Sequence, residues 1–218
     1  MGWAALTSGG KDSILSVQKA IDSGKEIRYL VTARPENHDS YMFHSSNLDA
    51  VAVIAKVAGM QYVEIPTHGR KEEELADLEA GLAALDVEGV TAGAVASRYQ
   101  ADRVKAITDR LGISLFTPLW HMETEVLLRE VAARLEAMII VTAAEGLDEH
   151  FLGARFDNEL IARLKRAAAI HRINLAGEGG EYETVTLNAP FYSRPITYST
   201  CEIRSSPGRH ELVLGGFA

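Results

Sequence analysis

The sequence predicts an α/β fold, with a mainly parallel sheet followed by a smaller α+β C-terminal domain. Short apolar runs alternate with segments of helical periodicity through the first half of the chain, and the last third is rich in β-forming residues. The pattern changes after Pro118-Leu119-Trp120, where we place a domain boundary. We therefore expect an N-terminal domain at residues 1–119 and a C-terminal domain at residues 120–218.

Strand and helix signals alternate through the N-terminal domain. Residues 3–7 form an apolar run that predicts the first strand, and a helix with one apolar face follows from about Ser13. Because strands alternate with helices, consecutive strands are expected to be parallel. Residues 34–47 predict a polar loop that is long enough to suggest a function. The remaining strands are predicted at residues 27–32, 62–65, 89–95 and 113–116, with apolar helical stripes beginning at Leu48, Leu75 and Val104.

The C-terminal domain begins with helical patterns and ends in β-forming sequence. Apolar stripes predict helices around residues 127–135 and 160–168, with a strand at 137–141 between them. Ser206-Pro207-Gly208 predicts a turn before the last strand. The final strands are predicted at residues 182–187, 197–204 and 211–214.

Composition excludes several classes of protein. The 218 residues are 47% hydrophobic and carry a net charge of −8, which argues against bulk nucleic-acid binding because that affinity comes mostly from basic side chains. The single cysteine, Cys201, excludes an internal disulfide and the usual structural zinc site. We see neither an export signal nor a window approaching the roughly 18 apolar residues of a membrane span. We therefore expect a cytoplasmic protein with no membrane association.

The segment Ser8-Gly9-Gly10-Lys11-Asp12-Ser13 lies between the first predicted strand and the first predicted helix. Two glycines let the backbone approach an anion closely, and the unpaired N–H groups of the first helical turn point at it. The serine hydroxyls can donate hydrogen bonds, and Lys11 adds a positive charge. Asp12 beside phosphate indicates Mg²⁺ between them. The alternative is a plain turn in which Asp12 caps the helix.

The segment does not follow the Walker spacing. It resembles instead the loop of the PP-loop ATP pyrophosphatases, which cleave ATP to AMP and pyrophosphate. The resemblance implies an open Rossmann-like sheet, as in the adenine nucleotide alpha hydrolases, with ATP at the carboxyl ends of the strands.

Three later segments narrow the resemblance. They are Ser40-Tyr41-Met42-Phe43-His44, the stretch from Gly93 to Arg103, and the stretch from Gly177 to Thr184 followed by Asn188-Ala189-Pro190-Phe191. With Pro118-Leu119-Trp120, this order resembles the diphthine–ammonia ligase family over nearly the whole chain. The family's reaction is the last step of diphthamide synthesis, the ATP-dependent amidation of a modified histidine on translation elongation factor 2.

The resemblance implies roles for the residues of the nucleotide site. The loop from Ser8 to Ser13 would hold the β- and γ-phosphates, with Lys11, Asp12 and Ser13 catalytic and Asp12 holding Mg²⁺. His44 could reach the phosphates from its loop, although a lone loop histidine is more often plain surface. Arg103 could contact nucleotide or lie on a solvated helix face. Further nucleotide contacts are expected from Gly93, Ser97, Tyr99, Gln100 and Arg103.

The third segment is the expected acceptor site. Diphthine carries a fixed trimethylammonium group, which carboxylates and aromatic faces attract. Glu178 and Glu181 would supply the carboxylates and Tyr182 the aromatic face. The alternative is a glutamate pair that caps backbone groups in a loop. The full set of expected substrate-binding residues is Glu178, Gly179, Gly180, Glu181, Tyr182, Glu183 and Thr184.

The nitrogen donor is expected to be ammonium. Glutamine-dependent enzymes need a glutaminase nucleophile, usually a cysteine in its own domain, and the sequence leaves no room for one beside Cys201. The resemblance implies two partners, which are ammonium and elongation factor 2 carrying diphthine. Whether the chain forms a homo-oligomer stays open.

The sequence departs from the family at two places. Thr7 precedes the loop where many members carry an aromatic residue, which should alter packing under the loop more than chemistry. The sequence ends at Ala218, without the extension of eukaryotic members, and resembles the short archaeal form. Two alternatives stay open: another PP-loop enzyme that adenylates a small molecule or tRNA, and a nucleotide-binding module without turnover.

Overall fold

The computed structural model describes residues 1–35, 47–67, 73–95 and 98–218, with the backbone alone for residues 35, 73 and 98–100. The described residues of the first half form five strands and four helices: β1 (Gly2–Leu6), α1 (Lys11–Asp22), β2 (Ile27–Pro35), α2 (Asp49–Ala58), β3 (Gln61–Thr67), α3 (Glu73–Ala83), β4 (Val87–Ala92), α4 (Arg98–Leu111) and β5 (Ser114–Phe116). The second half contains α5 (Thr124–Arg134), β6 (Glu136–Thr142), a 3₁₀ turn (Glu149–Phe151), α6 (Asn158–His171), β7 (Tyr182–Asn188), β8 (Thr200–Ser206) and β9 (Arg209–Gly215).

The first sheet is wholly parallel, with the strand order β3-β2-β1-β4-β5. The order reverses between β1 and β4, so the helices that follow these two strands leave toward opposite faces of the sheet. A crevice opens at such a reversal, at the carboxyl ends of the strands, and commonly binds a ligand. The predicted α/β class is confirmed. The differences lie at element ends, where α1 begins at Lys11 instead of about Ser13 and β2 continues to Pro35.

The second sheet is antiparallel, with the order β7-β6-β9-β8. Its edge strand β7 lies against the start of α1, because the N–H of Thr186 donates to the carbonyl of Gly9 at 2.9 Å. This contact brings a strand of the second half to the loop of the first half. It determines the position of the candidate site.

One apolar core joins the two sheets. Ile14 on α1, Leu128 on α5 and Ile139 on β6 are fully buried in the same cluster. A second cluster covers the other face of the parallel sheet and includes Leu78 and Leu82 of the predicted α3 stripe. Leu119, our predicted boundary, is itself fully buried in the shared core. The two halves therefore pack as one body, and their division at residue 119 stays a prediction.

Among the described residues, no helix has the length and apolar character needed to cross a membrane.

Candidate functional site

A pocket of about 220 Å³ opens at the carboxyl ends of β1, β2 and β4, at the point where the strand order reverses. Its floor is the loop from Thr7 to Ser13, and its walls come from the ends of β2 and β4. The stretch from Gly177 to Thr184 closes the remaining side. Residues separated by about 170 positions in the sequence therefore share one cavity.

Three glycines allow the close packing of this loop. Gly9 has φ of +78°, in the left-handed region that side chains other than glycine rarely adopt. A Cβ on Gly10 would lie 3.2 Å from the carbonyl oxygen of Thr184. A Cβ on Gly93 would lie 2.8 Å from the backbone of Asp12 and Ser13. The sequence therefore needs glycine here for contacts between backbones as well as for access to a ligand.

The first turn of α1 offers N–H groups to the pocket. Helix α1 begins at Lys11 with Gly10 as its N-cap, and no side chain caps it. The N–H of Lys11 donates to Thr184 Oγ1 at 2.9 Å. In the described part of the chain, nothing accepts from the N–H groups of Gly10, Asp12 and Ser13. Together with the positive end of the helix dipole, these groups form an anion-binding cradle.

Thr7 holds this cradle in shape, which sequence reasoning did not foresee. Its hydroxyl accepts from the N–H of Gly9 at 2.9 Å and lies 2.8 Å from Ser13 Oγ. Ser13 Oγ also donates to the carbonyl of Gly10 at 3.0 Å. The only signal in the sequence was that Thr7 stands where an aromatic residue was expected. A threonine hydroxyl supplies bonds to the loop that an aromatic ring could not.

The ammonium group of Lys11 is bonded within the protein. The side chain is 3% exposed, and its Nζ donates to Asp12 Oδ2 at 2.7 Å and to the carbonyl of Ala176 at 2.6 Å. The same Nζ lies 5.1 Å from the centre of the Tyr182 ring. The sequence led us to expect a phosphate contact. The structure shows a lysine that joins the loop to the stretch preceding β7, and the phosphate contact stays a prediction.

Asp12 has one carboxylate oxygen bonded and one without a partner. Oδ2 accepts from Lys11, while Oδ1 is buried and has no hydrogen-bond partner among the described residues. A buried carboxylate oxygen without a partner is costly, and a bound cation satisfies it. This oxygen therefore fits the magnesium position expected from the sequence. The described residues contain no cluster of three or more metal-ligating side chains.

Tyr182 and Glu181 have structural contacts. Tyr182 is 3% exposed, its phenol donates to the carbonyl of Leu175 at 2.7 Å, and Lys11 covers its ring. Burial raises the pKa of this phenol well above 10.0, and the nearby carboxylates of Asp12, Glu181 and Glu178 raise it further. Glu181 accepts from the N–H groups of Asn174 and Gly179, at 3.0 and 2.8 Å. These contacts favour the loop-capping interpretation for Glu181. Tyr182 lines the pocket but is almost fully buried.

Two carboxylates of the same segment do reach the pocket wall. Glu178 and Glu183 both line the cavity, and Arg209 Nη2 lies 3.4 Å from Glu183 Oε1. Gly179 and Gly180 belong to the turn that precedes β7, and Gly180 has φ of +83°. Thr184, expected at the acceptor, bonds the first turn of α1 instead. The segment from Gly177 to Thr184 thus contacts the start of α1 and also lines the cavity with two glutamates.

The other expected nucleotide residues divide into three groups. Gly93 lines the pocket. Arg103 lies half-buried on α4, and its neighbour Val104 forms the pocket wall. His44 and Ser97 lie outside the described residues, and the backbone alone is described for Tyr99 and Gln100.

Comparison with known proteins identifies a family for both halves of the chain. The diphthamide synthase N-terminal domain matches residues 1–115, and the diphthamide synthase C-terminal domain matches residues 123–207. A Rattus norvegicus protein named diphthine–ammonia ligase is 34% identical over 91% of this chain and 83% of its own length. The Homo sapiens protein of that name is 33% identical over 92% of this chain and 84% of its own length. The Schizosaccharomyces pombe protein of that name is 29% identical, and 36% of its length is covered.

A solved structure is similar in fold. It is described as a predicted subunit of tRNA methyltransferase from Methanocaldococcus jannaschii. The alignment covers 87% of this chain and 98% of the length of that protein, with a TM-score of 0.50. The sequence identity is 15%. At that identity the likeness concerns the fold alone.

Proposed function

This chain belongs to the diphthamide synthase family, and we propose that it is a diphthine–ammonia ligase. It would use ATP and ammonium to convert the free carboxylate of diphthine, on translation elongation factor 2, into an amide, releasing AMP and pyrophosphate. The observation that carries the proposal is the anion cradle at the start of α1, which shares its cavity with the carboxylates of Glu178 and Glu183. The cradle suits a polyphosphate, and the carboxylates suit a cationic acceptor.

The phosphates of ATP would lie on the loop from Ser8 to Ser13. Gly10, Asp12 and Ser13 line the pocket there, and their N–H groups would bind the phosphate oxygens. Apolar residues at the ends of β1 and β2 would form a wall for the base: Leu6, Val31 and Ala33. A Mg²⁺ ion held by Asp12 Oδ1 would neutralise charge on the phosphates. Catalysis of such a transfer is mostly positioning and charge stabilisation, which a preformed cradle supplies.

The acceptor would enter from the side of Glu178. A carboxylate is a poor electrophile because its negative charge repels nucleophiles, and adenylation replaces that charge with a good leaving group. Glu178 and Glu183 would attract the trimethylammonium group and turn the reactive carboxylate toward the α-phosphate. The sequence led us to expect Glu178, Glu181 and Tyr182 at this contact. Glu181 caps the turn before β7 and Tyr182 is almost fully buried. Glu178 and Glu183 line the cavity, so we keep Glu178 for the contact and add Glu183, which also pairs with Arg209.

Ammonium is the proposed nitrogen donor. Cys201 is exposed on β8, whereas the residues that line the pocket on its C-terminal side come from the turn before β7 and from β7 itself. It is therefore not positioned as a glutaminase nucleophile near the proposed adenylate. Ammonium chloride should support amidation in the absence of glutamine.

The decisive experiment measures pyrophosphate release and the mass of elongation factor 2 bearing diphthine, with ATP, Mg²⁺ and ammonium present. Glu178→Gln should keep ATP affinity and lower amidation by about two-fold to thirty-fold, the range expected for loss of one cation contact. The matched control is Glu145→Gln, at a side chain that is 90% exposed and outside the pocket. ATP binding without pyrophosphate release would instead identify a nucleotide-binding module. Release stimulated by small carboxylates or tRNA, and not by the factor, would identify another adenylating enzyme.

A further inference from the structure

Strand β8 forms one edge of the second sheet and is exposed along its whole length. All seven residues of Thr200–Ser206 are exposed, although each of them pairs with a residue of β9. Ile203 is 55% exposed, and large apolar side chains in strands are usually covered. Within the part of the chain that the structure describes, no strand pairs with the outer edge of β8. Edges of this kind are templates for pairing with another chain.

The turn between β8 and β9 determines which backbone groups of β8 point outward. Pro207 and Gly208 form a two-residue turn, so Ser206 and Arg209 close the hairpin as a hydrogen-bonded pair. In an antiparallel ladder such pairs alternate with non-bonded pairs along the strand. The backbone groups of every second residue therefore face β9, and those of the residues between them face outward: Cys201, Ile203 and Ser205.

The side chains of β8 are complementary to a second copy of the same strand. When two copies run antiparallel and are centred on Ile203, Glu202 of each copy lies opposite Arg204 of the other. The two Ile203 side chains then meet on the opposite face, and their outward backbone groups form the central bonded pair. Within one chain, Arg204 Nη2 already lies 2.9 Å from Glu202 Oε2. Pairing would extend that ion pair into four alternating charges, and opposite charges across strands are stabilising.

We propose that this chain associates with a second copy of itself by antiparallel pairing of β8, about a twofold axis at Ile203. Both copies contribute the same surface, as in closed twofold dimers. Strand β7, which lines the pocket, lies at the opposite edge of the sheet. The pocket stays accessible, and the dimer does not depend on the proposed reaction. Two seven-residue strands bury less than the roughly 1,200 Å² of stable interfaces, so the dimer is weak and concentration-dependent.

The test uses sedimentation velocity from micromolar to millimolar protein. The unchanged chain should form dimers as its concentration rises. Arg204→Glu puts a carboxylate opposite Glu202, and Glu202→Lys puts an ammonium opposite Arg204. The dimer dissociation constant of each variant alone should therefore rise about tenfold or more. Mixed in equal amounts, the two variants should form a heterodimer, because every facing pair is then opposite in charge. The double variant Glu202→Lys/Arg204→Glu should again dimerise by itself.

Controls separate loss of pairing from loss of folding. Each variant should keep the circular dichroism and the ATP-dependent pyrophosphate release of the unchanged chain. Arg129→Glu reverses a charge on α5 that is 70% exposed, and it should leave association unchanged. A chain that stays monomeric at millimolar concentration would overturn the proposal, as would single variants that dimerise normally. If the unchanged chain is monomeric but Arg204→Glu loses binding to the elongation factor, the edge belongs to the substrate protein and the proposal is wrong.

Discussion

At the scale of single residues, Lys11 links the phosphate loop to the stretch that precedes β7. Its ammonium donates to one oxygen of the Asp12 carboxylate and to the carbonyl of Ala176. The other carboxylate oxygen is buried and has no hydrogen-bond partner among the described residues. Lys11 is a positioning residue in this arrangement. Its removal should affect the phosphate loop and the turn before β7 together.

We predict that Lys11→Met lowers both stability and nucleotide binding. Methionine retains the apolar length of the side chain but leaves the Asp12 oxygen and the Ala176 carbonyl without their donor. Loss of a buried hydrogen bond to a charged group costs about 1.5–3 kcal/mol. Urea unfolding and the KM for ATP measure the two effects. Lys19→Met, at a half-buried lysine on α1 that pairs with Glu130, is the matched control and should change both less. An unchanged KM for ATP would contradict the positioning role.

At the scale of elements, α1 is held in place by three neighbours. Strand β4 approaches its first turn at Gly93, β7 bonds its loop at Gly9 and Lys11, and α5 packs on its apolar face. The order of strands and helices was predictable because hydrophobic periodicity reports local structure directly. The contact between β7 and the loop was not, since Lys11 and Thr184 are 173 positions apart and no local pattern links them.

The same reason explains which site residues the sequence identified. The loop from Ser8 to Ser13 was recognisable because glycines between a strand and a helix have a local physical meaning. The roles of Glu181 and Tyr182 were assigned from residue type alone, and their bonds to Asn174 and Leu175 depend on a turn that the sequence did not reveal. Residue type indicates what a side chain can do, whereas its neighbours decide what it does.

We predict that Gly93→Ala displaces the start of α1. The added methyl group would lie 2.8 Å from the backbone of Asp12 and Ser13, which cannot move without shifting the helix. Overpacking of this kind costs about 1–3 kcal/mol, and it would also distort the anion cradle. Calorimetry should therefore show weaker ATP binding together with a lower unfolding temperature. Gly179→Ala is the comparison, because its methyl group would meet only the flexible carboxylate of Glu181. Equal losses in the two variants would contradict the argument.

At the scale of the whole molecule, the two sheets are united by one core rather than by a narrow linker. Leu119, Leu128 and Ile139 are fully buried in it together with the apolar face of α1. Both walls of the pocket therefore rest on the same packed interior. Unfolding should accordingly be a single cooperative transition, in which the pocket and the core are lost together.

This single transition should become less favourable above about pH 10, because of two buried phenols. Burial raises the pKa of Tyr182 well above 10.0, and burial also raises the pKa of Tyr192. Below pH 10 these phenols are neutral in both states and their contribution to stability is complete. As the pH rises beyond 10, the unfolded chain ionises while the folded one does not, so stability falls by about 1.4 kcal/mol per pH unit for each phenol.

Urea midpoints between pH 9 and about 11 measure this slope. The variant Tyr182→Phe/Tyr192→Phe should reduce this slope and leave the share of Tyr62, because burial and the hydrogen bond with Glu64 raise the pKa of Tyr62 to about 12. Tyr198→Phe, at an exposed ring, should leave the slope unchanged. Equal slopes in the unchanged chain and the double variant would show that these phenols do not cause the alkaline loss of stability.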